Sequence, residues 1–107
     1  MGRCVFTNKN YCIYTFEKGY IIHNKNKPFD EGHTHWDNFR ICKVIIYCCM
    51  EGKFPDKAKR LAKNYRVVES ICRLAPIKHR KYFEEILEGL KNNQSLVCDD
   101  VSLENAM

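Results

Sequence analysis

The sequence predicts an α+β fold, in which an N-terminal β-meander or hairpin precedes a three- to four-helix unit. Residues 1–24 contain short runs rich in aromatic and β-branched side chains, and turn residues separate these runs. From residue 34 onward, apolar side chains recur at spacings of three and four, the period of a helix face. The predicted strands all precede the predicted helices, and this segregated order is typical of α+β folds.

Two turns divide the β-rich region into strands. The predicted strands cover residues 3–7, 11–16 and 20–23, with turn residues at 8–10 and 17–19. Successive side chains of a strand point to opposite faces, so Cys12, Tyr14 and Phe16 are expected on one face and Ile13 and Thr15 on the other.

The first predicted helix follows a loop at residues 24–33. Thr34 is the expected N-cap, and the helix is expected to run from Trp36 to Glu51 and to stop at Gly52. Apolar side chains occupy most of its circumference, which is typical of a central helix that has neighbours on several faces.

Two prolines mark the remaining helices. Pro55 opens one and Pro76 opens the last. The expected core faces comprise Ala58, Leu61, Ala62, Tyr65, Val68 and Cys72 in the first and Phe83, Ile86, Leu87 and Leu90 in the second. Residues 1–91 are predicted to form one compact domain, β-rich over 1–24 and helical over 34–91, and residues 92–107 a flexible acidic tail.

The seven cysteines predict reduced thiols rather than a disulfide scaffold or a zinc site. Their number is odd, and no Cys-x-x-Cys pair is present. We expect Cys42, Cys48, Cys49 and Cys72 to be buried and Cys98 to react rapidly from the tail. No apolar run approaches the roughly 18 residues of a membrane span, and no signal peptide is evident, so a cytoplasmic location is expected.

Charge is distributed unevenly along the chain. Between Lys53 and Lys81, ten lysines and arginines face two acids, which gives this segment a formal charge of +8. Residues 84–107 contain six acids and one lysine. Clustered cations predict a surface that meets phosphate. The candidate nucleic-acid contacts are Lys57, Lys59, Arg60, Lys63, Arg66, Arg73, Lys78, Arg80 and Lys81.

Residues 61–74 resemble the helix-turn-helix of DNA-binding proteins. The resemblance covers 14 of the 107 residues and consists of Leu61-Ala62, a turn at Tyr65-Arg66-Val67, and a following segment that ends near Arg73. It implies a recognition helix that contacts DNA. Arg66 stands where glycine is usual, and the second segment is about one residue short. The alternative is one continuous amphipathic helix over residues 55–74, on which Lys59, Lys63, Arg66 and Arg73 form a basic stripe.

Two smaller clusters carry further hypotheses. Lys78, Arg80 and Lys81 fall in the first turn after Pro76, where free amides and cations suit phosphate. The alternative is that Arg80 and Lys81 form ion pairs with the glutamates four residues on. His33 and His35, separated by one residue, are metal-ligand candidates, although their spacing does not require a metal.

Aromatic side chains form the last candidate group. Trp36 and the six tyrosines would stack on bases if the sheet exposes them, but core packing is the expected role of most.

The sequence thus predicts a small basic nucleic-acid-binding protein, regulatory or accessory and not an enzyme, with DNA or RNA as partner. No catalytic residue, cofactor or membrane partner is indicated. The alternative is a viral or mobile-element interaction module that docks on an acidic host protein. A metal-dependent nuclease is the third hypothesis.

Overall fold

The computed structural model describes the backbone of residues 2–101 and the side chains of residues 2–92. An antiparallel four-stranded sheet, in the order β1-β2-β3-β4, precedes the helices, so the α+β prediction is confirmed. The strands are β1 Cys4–Asn8, β2 Tyr11–Phe16, β3 Gly19–Asn24 and β4 His33–Trp36. The helices are α1 Phe39–Glu51, a 3-10 helix Asp56–Lys63, α2 Tyr65–Leu74 and α3 Ile77–Val101.

Two-residue turns join the first three strands, at the places where the sequence predicts three-residue turns, 8–10 and 17–19. Asn8 pairs with Tyr11 across the first turn, and Phe16 pairs with Gly19 across the second. The first loop residue of each turn has a positive φ, 57° at Lys9 and 53° at Glu17. A positive φ at this position is a property of primed hairpin turns. Hairpins favour these turns because the twist of the turn matches the twist of the flanking strands.

A fourth strand was missed by the sequence analysis. β4 pairs with β3 from His23↔His33 to Tyr20↔Trp36, in a stretch predicted as loop and helix. Thr34 is therefore not an N-cap: it lies inside the strand. Helix α1 begins instead at Phe39, because the Asn38 side chain accepts a hydrogen bond from Ile41 N at 3.0 Å. The helix ends at Gly52 as predicted, in the left-handed conformation.

Residues 55–74 do not form a continuous helix, and Tyr65-Arg66-Val67 is not a turn, so these two local predictions are wrong. The helix-turn-helix resemblance itself stays a prediction. The chain is extended at Asn64, with φ −94° and ψ 110°, and the Asn64 side chain accepts from Val67 N at 3.2 Å as the N-cap of α2. All three residues predicted as the turn are helical. The break separates Lys59 and Lys63 from Arg66 and Arg73, so no single helix carries the predicted stripe.

The core fills the space between one face of the sheet and the helices. Its buried side chains include Tyr11, Ile13, Ile22 and Trp36 from the sheet, Cys42, Ile45, Ile46 and Cys49 from α1, Val67, Val68, Ile71 and Leu74 from α2, and Phe83 from α3. Tyr65 and Cys72, predicted as core, are only half-buried. The other predicted α3 residues pack partly against the core.

No helix in the described part of the chain combines the length and the apolar character needed to cross a membrane. The tail predicted for residues 92–107 lies almost wholly outside the described side chains and stays a prediction, as does the reactivity of Cys98.

Candidate nucleic-acid interface

The nine basic residues predicted to contact nucleic acid lie on three parts of the fold. Four are on the 3-10 helix, two on α2 and three in the first turn of α3. Eight are exposed and Arg80 is half-buried. The nine residues differ in their hydrogen bonds, ion pairs and neighbouring acids, and these contacts indicate which of them form a site.

The cations of the 3-10 helix extend into solvent. Lys59 Nζ lies 3.5 Å from Asp56 Oδ1, the one ion pair among the described side chains, and both partners are largely exposed. Such pairs contribute little to stability. The other three, Lys57, Arg60 and Lys63, have no side-chain hydrogen bond within the described residues. We call these four cations the 3-10 group.

A second group of cations surrounds a cavity of about 450 Å³ where α2 ends and α3 begins. Lys9 comes from the β1–β2 turn, Lys27 from the β3–β4 connection, and Lys78 and Arg80 from the first turn of α3. No acidic residue lines this cavity. We call these four residues the basic corner. Lys9 and Lys27 were missed because they lie far in sequence from the +8 segment.

The last carbonyl groups of α2 hold part of the basic corner in place. Lys27 Nζ donates to Arg73 O at 2.8 Å, and Arg80 Nη2 donates to Ala75 O at 3.1 Å. Between them, Leu74 O accepts from the hydroxyl of Tyr11 and from Asn24 Nδ2, at 3.2 and 2.8 Å. A helix C-terminus attracts cations and leaves its last carbonyls without intrahelical partners. Two cations are thereby fixed before any ligand arrives.

The fixed cations also repel each other. The pKa of Lys27 is lowered, mainly by burial and then by the positive charge of Arg80. Arg80 Nε is buried without a hydrogen-bond partner among the described residues. The ion pairs considered for Arg80 with Glu84 and for Lys81 with Glu85 do not form. Within the described residues, none of the four cations of the basic corner forms an ion pair, and Glu31 is the one carboxylate whose charge acts to raise the pKa of Lys27.

Arg66 and Arg73 lie along the open edge of β4, facing a cavity of about 390 Å³ between β4 and α2. The Arg66 guanidinium stacks 4.2 Å from the Trp36 ring centre, and its Nη2 donates to His35 O at 3.1 Å. Arg73 Nη2 donates to Asp30 O at 3.0 Å. Glu69 lines the same cavity, and Thr34 Oγ1 is buried there without a partner among the described residues. We call the two arginines the edge arginines.

The sheet face that points away from the helices carries a continuous set of rings, which we call the ring array. It runs Phe16, His35, His33, Phe29 and His23, with successive ring centres 5.5, 5.0, 4.0 and 5.3 Å apart. Phe16 is 39% and Phe29 46% exposed. All seven aromatics proposed as stacking groups lie outside the ring array: Trp36 and Tyr11 are buried, whereas Tyr47 and Tyr82 are exposed. Sequence reasoning placed Phe16 on one strand face with Cys12 and Tyr14, but it proposed neither Phe16 nor Phe29 as a stacking group.

The histidines of the ring array are engaged within the protein. His33 and His35 share one face of β4, yet no three His, Cys, Asp or Glu side chains in the described residues are arranged to hold a metal ion. His33 Nδ1 contacts Phe29 O, and His23 Nε2 lies 3.2 Å from Lys27 O. These contacts fix the β3–β4 connection over the sheet.

The cysteines with described side chains are free thiols. Burial raises the pKa of Cys42 and of Cys48 to about 12. Cys72 is half-buried, and burial raises its pKa to about 11. Cys4 is exposed, so a second rapidly reacting thiol is expected beside Cys98, whose own reactivity stays a prediction.

No protein-family model, curated protein or solved structure matches this chain.

Proposed function

We propose that this protein binds nucleic acid through phosphate contacts made by the basic corner, in an accessory or regulatory role. The observation that carries this proposal is the meeting of four cations, from three separate parts of the fold, around a cavity without an acid. A solvated charged surface usually mixes both signs. Unneutralised like charges cost stability, and a bound polyanion offsets that cost.

The position of the basic corner favours phosphate. It includes the first turn of α3, where the amides of His79 and Arg80 donate to Pro76 O. The amides of Ile77 and Lys78 precede the first intrahelical acceptor. Those amides and the helix dipole attract anions. The fixed Arg80 and Lys27 add charge-assisted hydrogen-bond donors, which are stronger than neutral ones.

The 3-10 group and the edge arginines extend the positive surface. Neutralising several phosphates at once releases counterions, so binding weakens as salt rises. The attraction between cations and phosphates does not depend on base sequence and needs no fixed geometry. The exposed cations of the 3-10 group can therefore contribute to it.

The test is equilibrium binding of labelled DNA and RNA, duplex and single-stranded, measured by fluorescence anisotropy over a series of salt concentrations. Lys9→Gln combined with Lys78→Gln is the informative variant, because neither side chain holds an α2 carbonyl. We expect weaker binding, and a slope of log K against log salt reduced by about 1.8 on duplex DNA for two lost contacts.

The matched control is Lys43→Gln combined with Lys91→Gln, which removes the same charge outside the basic corner, the 3-10 group and the cavities of the edge arginines. Equal losses in the two double variants would mean that net charge alone attracts the ligand. A wild-type protein that binds none of the four nucleic acids would show that the proposal is wrong. In that case, binding to polyglutamate should be measured. It tests the alternative function, docking on an acidic protein, for which the same cations would also be suitable.

A further inference from the structure

The ring array offers a surface that phosphate binding alone does not use. Phe29 and His33 are stacked in parallel, with 8° between their planes, and Phe29 remains 46% exposed. His23 also contacts the Phe29 ring, at 5.3 Å between centres, and the exposed part of that ring is where a base would join the stack. Phe16, at the other end of β4, exposes a second ring beside His35.

We infer that the ring array stacks unpaired bases, so that the ligand of the proposed nucleic-acid-binding function is single-stranded. Bases in a duplex already stack on their neighbours and cannot present a free face to a side chain. Stacking on aromatic rings is the common means by which proteins bind single strands, and it tolerates any sequence because every base has a flat face.

The charge around the ring array fits a strand whose bases lie on the rings. Each exposed phenylalanine has an edge arginine near it. Arg73 donates to the carbonyl of Asp30, the residue after Phe29, and Arg66 donates to the carbonyl of His35, whose ring contacts Phe16. Both guanidiniums keep further N–H groups for phosphate.

The edge arginines also connect the ring array to the basic corner. Lys27 donates to the carbonyl of Arg73, and the charges of Arg73 and Arg80 both lower the pKa of Lys27. Glu69 is the one acid that lines the cavity of the edge arginines, and it is outnumbered by the two guanidiniums. Lys27, Arg73 and Arg66 thus lead from the basic corner toward the rings, and the exposed acids Asp30 and Glu31 lie directly after Phe29 on that path.

The test compares Phe29→Leu and Phe16→Leu with wild type. Leucine keeps an apolar side chain but removes the flat ring. On a labelled single strand of about 12 nucleotides, we expect each variant to lose about five-fold or more in affinity. Binding to duplex DNA, and to an abasic strand of the same length, should stay within error of wild type. Phe29→Tyr, which restores a ring, should recover the affinity.

The matched control is Tyr82→Leu. Tyr82 is 50% exposed on α3 and outside the ring array, so its replacement should leave single-strand binding unchanged. Wild-type affinity in both phenylalanine variants would overturn the inference while leaving the proposed function in place. Absence of binding to every nucleic acid would instead overturn the proposed function. If sedimentation shows that Phe29→Leu dissociates a dimer without changing single-strand affinity, the ring array is a protein interface and the inference is wrong.

Discussion

The basic corner and the 3-10 group carry the same kinds of side chain but hold them differently. In the basic corner, Lys27 and Arg80 bond to backbone carbonyls of α2, and four cations approach one cavity. In the 3-10 group, the exposed pair of Lys59 with Asp56 is the one side-chain polar contact within the described residues. Local charge density in the sequence is higher in the 3-10 group, yet the fixed geometry is in the basic corner. A high density of lysines and arginines in the sequence therefore does not show which of these side chains the fold holds in a fixed position.

The largest effect on stability should come from the hydrogen bonds that build the basic corner. Asn24 is 4% exposed and donates to Leu74 O, so Asn24→Ala removes a buried donor. We expect a loss of about 1–3 kcal/mol in the free energy of unfolding, measured by chemical denaturation. The control, Lys57→Gln with Lys63→Gln, should stay within about 0.5 kcal/mol. Similar losses in both would remove the distinction between the two regions.

A smaller effect is expected at the edge arginines. Arg66→Ala removes a guanidinium stacked on Trp36 and a hydrogen bond to β4, whereas Arg60→Ala removes an exposed side chain. We expect Arg66→Ala to lower the free energy of unfolding by about 1 kcal/mol and Arg60→Ala by less than half of that. If thermal unfolding shows equal losses of stability in the two variants, the contacts of Arg66 with Trp36 and His35 do not stabilise the fold.

The smallest effect concerns the protonation of Lys27. Its folded pKa is lowered from 10.5, so its charge opposes folding while it is protonated. This opposition is present below the folded pKa and disappears as the pH rises through that value toward 10.5. NMR titration should place the Lys27 pKa below its usual value, and Arg80→Gln should move it upward. An unchanged value in the variant would show that Arg80 does not act on Lys27.

The sequence predicted those strands and helix ends for which the local residue preferences agree with the structure that the surrounding fold imposes. β2 is a run of aromatic and β-branched residues between two groups of turn residues, and Gly52 ends α1 where a left-handed residue is required. β4 was missed because its four residues gain strand pairing from β3 rather than from their own pattern. The break at Asn64 was missed because the apolar spacing continues across it, although asparagine is a strong N-cap.

The candidate site was predicted only in part, for a related reason. Lys78, Arg80 and Lys81 follow Pro76, so their place in the first turn of α3 is readable from the sequence. Lys9, Lys27 and Phe29 reach their positions through turns and long connections. Turns and long connections have no periodic pattern, so the sequence does not predict which of their side chains lie close to the end of a distant helix.

The conformation of Lys9 implies a conflict between folding and binding. Its φ of 57° is one that glycine adopts freely and that costs other residues about 1–2 kcal/mol. Glycine at this position would therefore give a tighter, more heat-resistant hairpin, but it would remove one of the four cations around the cavity. If the basic corner is what selection maintains, the hairpin is kept below its attainable stability, and sequences selected only for thermal resistance should lose Lys9 early.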